Sequence, residues 1–387
     1  MRRFGKWLGR VLLALVVIAV AVGLWKREEI TRLLAVNSLF SEEKIVTNFS
    51  NMNAAFLSVP VPRGNGPTSE LPYGPETALP AEVDQWIEDR DVTALLVMKD
   101  GAIVYENYFL GTGPEDLRIS WSMAKSYLSA LVGILLEEGQ IASLDDPVTK
   151  YAPALKGTAY DGNTLKNVLQ MTSGVVFDED YLDPKSDINR MGRVLALGGE
   201  MDVFAAGLTE TFTTPGDQWK YVSIDTHVIG MVVRGATGRP IAELLSEKVI
   251  APLGLEYAPY YLTDGVGTAF VLGGLNMTTR DYARFGQMFL QGGTWLRQQI
   301  VPADWVAAST QPTAPTEEGK TGYGYQWWIP HGAAPGVYMA RGIYGQYIYI
   351  DSNKGVVIAT NAADRKFREK GVSQQNIDIF RTIAESL

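Results

Sequence analysis

The stretch "RISWSMAKSYLSALVGILLEEG", Arg118 to Gly139, decides how this chain is read. Its second half is a continuous apolar run that ends at a glycine, the pattern of a buried helix with a left-handed stop. Its first half puts Ser122 and Lys125 in the opening turn, three residues apart and so on one helix face. At that place the free backbone N–H groups and the positive end of the helix dipole can stabilise an oxyanion. An apolar surround would lower the pKa of a lysine and make it a base for the serine. The plain alternative is a helix cap, a role that Ser120 fills equally well. On this stretch alone both readings stand.

A second S-x-x-K, Ser41 to Lys44, has no apolar helix behind it and meets none of these demands. Composition narrows the chemistry further. The 387 residues contain no cysteine, which excludes disulfides, thiolate metal sites and a cysteine nucleophile. Two histidines, His227 and His331, make a histidine zinc site improbable. A net charge of −9 argues against a general nucleic-acid binder.

The N-terminus has the form of a targeting segment. Arg2, Arg3, Lys6 and Arg10 precede the uncharged run Val11 to Trp25. That run suits a signal h-region and, with Trp7 and Leu8, a membrane anchor over residues 7–25. The anchor is the preferred reading and a cleaved signal the alternative. Either one leaves the positive end cytoplasmic and exports the rest. An amphipathic helix with Ile30, Leu33 and Leu34 follows, then an extended Pro/Gly-rich linker, Val59 to Glu76. Asp100-Gly101 between two apolar runs predicts a β-hairpin. Helical and loop patterns fill about 140–290, and strand patterns return after Tyr323 before a closing helix. The expected fold is therefore α/β (α+β), a sheet built from both ends of the chain with a mainly helical insertion. The expected division is 1–25 as anchor, 26–78 as helix and linker, and 79–387 as the catalytic domain.

Ordered landmarks then carry a resemblance. They are "VMKDGAIVYE", "SMAKS", "IASLDDPVTKY", "VLQMTSGV", "PGDQWKYVSIDTHVIG", "GGLNMTTRDYARFG", "YGYQWW" and "RGIYGQYIYID". Over about Leu79 to Leu387 the chain resembles the serine β-lactamase and penicillin-recognising superfamily. The branch it most resembles is the class C-like one, with esterases, peptidases and 6-aminohexanoate-dimer hydrolases. The resemblance implies a β-lactamase-like fold, an antiparallel sheet flanked by helices. It implies Ser122 as nucleophile and Lys125 as its base. The family's second box, Y-x-N or Y-x-S, matches Tyr221-Val-Ser223, so Tyr221 would relay the proton and Ser223 would meet substrate. Tyr105-Glu-Asn107 and Tyr127-Leu-Ser129 match the pattern but precede the serine or lie inside its own helix.

The third box has two candidates. Lys320-Thr321-Gly322 is the literal K-T-G, yet it follows a polar, proline-containing loop. The preferred candidate is the bend Gly342-Ile343-Tyr344-Gly345, where the Ile343 N–H would join that of Ser122 as the oxyanion hole. That choice removes the lysine that would meet a penicillin carboxylate, leaving Arg341 nearby, and so favours simple esters or amides. In the acidic loop Phe177 to Asn189, usually a solvated surface, Tyr181 matches a substrate-contacting tyrosine of the amide-hydrolase branch. Asn276 is a further pocket candidate. Trp327 and Trp328 are read as core or wall. A Ser-His-Asp triad through His227 and Asp225 is the competing scheme, but its helical context makes His227 structural, and no G-x-S-x-G is present.

The expectation is thus an exported serine hydrolase that forms an acyl-enzyme and needs no metal or cofactor. It would act in the periplasm from the inner membrane on a small ester, amide or peptide, without nucleic acid. A cell-wall DD-peptidase or β-lactamase, and a non-catalytic penicillin-binding-like scaffold, are the alternatives.

Overall fold

A computed structural model describes residues 2–387. Seven helices carry the architecture: α1 (Arg2–Trp25), α2 (Arg27–Asn37), α3 (Ala124–Glu137), α4 (Asp187–Ala196), α5 (Ser223–Thr237), α6 (Thr279–Leu290) and α7 (Val372–Ser386). The strands are β1 (Leu57–Pro60), β2 (Val92–Lys99), β3 (Ala102–Tyr108), β4 (Arg118–Ile119), β5 (Tyr260–Thr263) and β6 (Leu275–Met277). After them come β7 (Gly322–Tyr323), β8 (Trp328–Ile329), β9 (Val337–Gly342), β10 (Gln346–Asp351) and β11 (Val356–Ala362). Shorter helices and a small hairpin fill the connections.

One antiparallel sheet of seven strands, ordered β3-β2-β11-β10-β9-β8-β7, joins the two ends of the chain. Its central strands are buried on both faces, so they read as near-continuous apolar runs. The two-residue period still sorts them. Leu96, Met98, Ile348 and Ile350 face one core, with α3 and α6. Leu95, Val97, Tyr347 and Tyr349 face a second core, with Ile377, Phe380 and Ile383 of α7. The expected hairpin forms at Asp100 and Gly101, both with positive φ, as a type I′ turn demands. Gly139 closes the serine helix at φ +71°.

Two expectations gain detail, and a third is corrected. The region 140–290 is mainly helical, but β5 and β6 lie within it, in a second sheet ordered β1-β5-β6-β4. Strands of three and four residues are too short to show alternation in sequence. The aromatic run "YGYQWWIP" forms two short strands, because Gln326 takes φ +65° and turns the chain between them.

The correction concerns the linker. Val59–Glu76 is largely extended as expected, but it does not run free. Val61 is fully buried, β1 pairs with β5, and the Ser69 hydroxyl donates to the Leu253 carbonyl at 2.6 Å. Just before it, Leu39, Phe49, Met52 and Phe56 join the main core. The buried Arg118 guanidinium donates to the Val46 carbonyl at 2.7 Å and to Ser50 at 2.6 Å. By contrast Lys6–Trp25 of α1 is a twenty-residue apolar stretch with no buried part, long enough to cross a membrane by length and composition.

Helix α3 is fixed by contacts that leave no room. A Cβ on Gly133 would lie 2.2 Å from the ring of Trp305. We expect Gly133→Ala to lower stability by about 1–3 kcal/mol through overpacking, read as a fall in urea midpoint at unchanged m-value. A midpoint equal to that of the parent chain would contradict the tight packing.

Candidate active site

The site forms where the serine helix meets the end of a central strand. Ser122 lies in a single 3₁₀ turn, Trp121–Met123, between β4 and α3. Trp121 takes φ +42°, a region hostile to a bulky side chain and costing about 1–3 kcal/mol. Its surroundings enforce the conformation. Phe49 meets the Trp121 ring edge-on at 5.6 Å and meets Tyr344 at 5.3 Å. Phe40 stacks on Tyr344 at 5.1 Å and 11°. Tyr344 itself takes φ +59°. Two strained turns, one at Trp121 and one at Tyr344, are thus held by a single aromatic cluster.

Gly342 makes the approach possible. A Cβ there would fall 2.5 Å from the Ser120 carbonyl oxygen and 3.1 Å from the Ser122 nitrogen. The end of β9 therefore lies against the serine turn, and Ile343 follows at once. Among the described residues, neither the Ser122 N–H nor the Ile343 N–H donates to an intramolecular acceptor. Two backbone donors left open beside one hydroxyl are suited to an oxyanion.

Lys125 is almost completely buried. Its ammonium donates to Thr226 Oγ1 at 3.1 Å and to the Ser223 carbonyl at 3.3 Å, and it lies 5.4 Å from the centre of the Tyr221 ring. Thr226 is free to accept because its own hydroxyl donates to Gln326 Oε1 at 2.8 Å. Burial lowers the Lys125 pKa to about 7, against the opposing pull of Glu179 and Asp225. Tyr221 packs on Trp328 at 5.3 Å and lines the same cavity as Ser122. Burial, reinforced by Glu179, pushes its hydroxyl well above the ordinary tyrosine range, so it stays protonated near neutrality.

The structure brings Ser122, Lys125, Tyr221, Ser223, Tyr181 and the bend Gly342–Gly345 to one place. Asn276 is not among them. It lies fully buried on β6, donates to the Gly274 carbonyl at 2.9 Å and lines neither cavity at the serine. Its strand is spent on pairing with β4 and β5, which turns the residue into the small sheet. Lys320 is exposed on a turn leading to β7, at the far edge of the seven-stranded sheet. The literal K-T-G is therefore off the site. His227 is buried, with Nε2 2.7 Å from Asp202, which also accepts from Arg234 at 2.6 Å. The adjacent Asp225 accepts instead from Tyr160 at 2.7 Å, so the two do not form a triad. Trp327 is core, packed on Phe289 at 4.6 Å.

Two carboxylates were not singled out from the sequence. Glu179 accepts from the Ser223 backbone N–H, from the Ser223 hydroxyl at 3.1 Å and from the Tyr181 hydroxyl at 3.2 Å. Burial raises its pKa, while those donors and Lys125 oppose the rise. Asp225 is fully buried, and burial raises it to about 7. The only sequence signal for Glu179 was its place in the acidic loop beside Tyr181. In the sequence Asp225 stands out only as a neighbour of His227.

Comparison with known proteins finds relatives in sequence and in fold. A family model described as beta-lactamase matches residues 83–375. A 6-aminohexanoate-dimer hydrolase of Paenarthrobacter ureafaciens is 33% identical, over 73% of this chain and 75% of its own. Esterase EstB of Burkholderia gladioli is 29% identical over 46% of this chain and 49% of its own. A solved Bacillus anthracis structure, provisionally named as a 6-aminohexanoate-dimer hydrolase, superposes with a TM-score of 0.81 at 25% identity, covering 90% of this chain and 95% of its own.

The electrostatics predict a pH dependence. Lys125 is a base only when neutral, so Ser122 reactivity toward a fluorophosphonate should rise as pH increases through about 7. Glu179 favours the ammonium form, and removing its charge lowers the Lys125 pKa further. Glu179→Gln should therefore move the rising limb to lower pH. A limb that stays in place or moves upward would separate Glu179 from Lys125 electrostatically.

Proposed function

The chain belongs to the beta-lactamase family, and on that premise we propose that it is an exported serine hydrolase, tethered by residues 7–25 to the inner membrane and acting in the periplasm. It cleaves an ester or amide through an acyl-enzyme on Ser122. The observation that carries this reading is the desolvated Lys125, one turn after Ser122 and beside Tyr221, with a pKa near 7. Residues 79–387 form the catalytic domain in this reading.

The steps follow from the charges. Neutral Lys125 takes the proton of the Ser122 hydroxyl, with the still-protonated Tyr221 as relay. The serine oxygen bonds to the substrate carbonyl carbon, and the N–H groups of Ser122 and Ile343 hold the resulting oxyanion. As the bond to the leaving group breaks, Tyr221 donates a proton to it and is reprotonated from Lys125. Water then repeats the sequence on the acyl-serine and releases the acid. Tyr181 and Ser223, tied together by Glu179, would border the substrate, along with Gly342, Tyr344 and Gly345. The relatives named for amide and ester hydrolysis support this bond class. The exposed position of Lys320 weighs against the DD-peptidase and β-lactamase alternative, since no lysine of a K-T-G box stands beside the serine. A desolvated lysine beside a tyrosine and an open pair of N–H groups likewise weighs against a non-catalytic scaffold.

The test is covalent labelling of the full-length protein in detergent. A fluorophosphonate should label the parent chain and not Ser122→Ala, and Lys125→Ala should slow labelling by about a hundredfold or more. Labelling that survives Ser122→Ala would remove the nucleophile from this scheme. Rapid labelling by a fluorescent penicillin would restore the wall-enzyme reading.

A further inference from the structure

Two cavities of contrasting chemistry meet at Ser122. The first, about 350 Å³, is bounded by apolar side chains from three directions. Leu39, Met52 and Phe56 come from the segment after α2; Ile188, Met191 and Leu195 come from α4; Phe270 and Leu272 come from the loop between β5 and β6. The polar side chains of Asn189 and Arg193 on this wall are tied up in hydrogen bonds within the protein. Asn189 donates to the carbonyls of Tyr181 at 3.1 Å and Asp183 at 2.8 Å, and Arg193 to that of Pro184 at 2.6 Å. The second cavity, about 390 Å³, carries Glu179, Arg341, Arg368 and Glu369. Ser122, Tyr181 and Ile343 border both, so a carbonyl at the serine would direct one substituent into each.

The mouth of the apolar cavity has an unusual location. Phe40 and Leu182 line it and are 40% and 82% exposed, an apolar rim that water does not favour. The chain leaves the apolar helix α1 at Trp25, and Val36, at the end of α2, already lines the cavity. Eleven residues of helix rise only about 16 Å. The cavity wall is thus built from the chain that emerges directly from the anchor.

We propose that the substrate is an amphiphile taken from the adjacent bilayer, with its acyl chain in the apolar cavity and its polar group in the second. The inference rests on the serine-hydrolase reading above and specifies its substrate class. At about 30 Å³ for a water-sized group, the apolar cavity holds about ten such groups, the size of a medium acyl chain. Ser122 would form the acyl ester as the bond to the polar group breaks. The polar group would leave with the proton, and water would then free the fatty acid.

The test uses the full chain in nanodiscs with 4-nitrophenyl esters from acetyl to decanoyl. Each methylene that enters the cavity can contribute up to about fourfold, so kcat/KM should rise by about tenfold or more from acetyl to octanoyl. Gly192 lines the cavity, and nothing lies within 4 Å of where its Cβ would stand. Gly192→Phe should therefore place a ring in the cavity and lower the octanoyl-to-acetyl ratio by about tenfold. Met191→Ala enlarges the same space and should move the optimum to longer chains, which keeps the test valid if the first variant folds poorly. A ratio that falls with chain length, or that neither variant changes, overturns the acyl cavity. 1-Dodecanoylglycerol offered in the protein's own nanodiscs should turn over faster than in separate protein-free nanodiscs, and equal rates overturn capture from the bilayer. Fluorophosphonate labelling and acetyl-ester turnover report on the serine independently. Their presence with a flat chain-length profile sinks this inference alone, and their absence sinks both.

Discussion

The contact on which the rest of the site depends is between two backbones. The end of β9 reaches the serine turn so closely that Gly342 has no space for a Cβ. That approach sets Ile343 beside Ser122 and leaves two N–H groups open toward one hydroxyl. It also requires sharp turns on both chains, and Trp121 and Tyr344 both adopt left-handed backbone. Neither residue would choose that conformation alone. The cluster with Phe40 and Phe49 holds them there, so apolar packing energy from the N-terminal segment maintains strain at the site.

Burial does the electrical work. The apolar face of α3 takes Lys125 out of water, and the loss of hydration weakens its hold on a proton. Glu179 and Asp225 pull in the opposite direction. Without them the lysine would have a still lower pKa. Thr226 and Gln326 fix the position of the amine without adding charge. The same burial keeps Tyr221 protonated near neutrality, so the two groups differ in their readiness to take a proton.

The N-terminal segment joins the site to the apolar helix α1. Residues after α2 supply aromatic support for the serine turn and a wall of the apolar cavity. The stretch just before the linker is therefore part of the structure around Ser122. The signal there is brief: Ile45, Phe49, Met52 and Phe56 recur at helical spacing, but over a short span beside polar text.

By itself the sequence determined the features that local chemistry controls. The apolar run after Ser122 makes a helix, Asp100-Gly101 makes a turn, and the absence of cysteine removes whole classes of site. The order of landmarks pointed to the family, and the resemblance proposes Ser122, Lys125 and Tyr221 as a set. What lies in space between distant segments was decided only by the tertiary structure. The bend at Gly342 rather than Lys320 meets the serine because β9 is central in the sheet and β7 lies at its edge. Glu179 enters the site because its loop folds back over Ser223, and Asn276 leaves it because its strand is used in pairing. Strand order and loop docking arise from long-range packing, which periodicity and composition do not encode residue by residue.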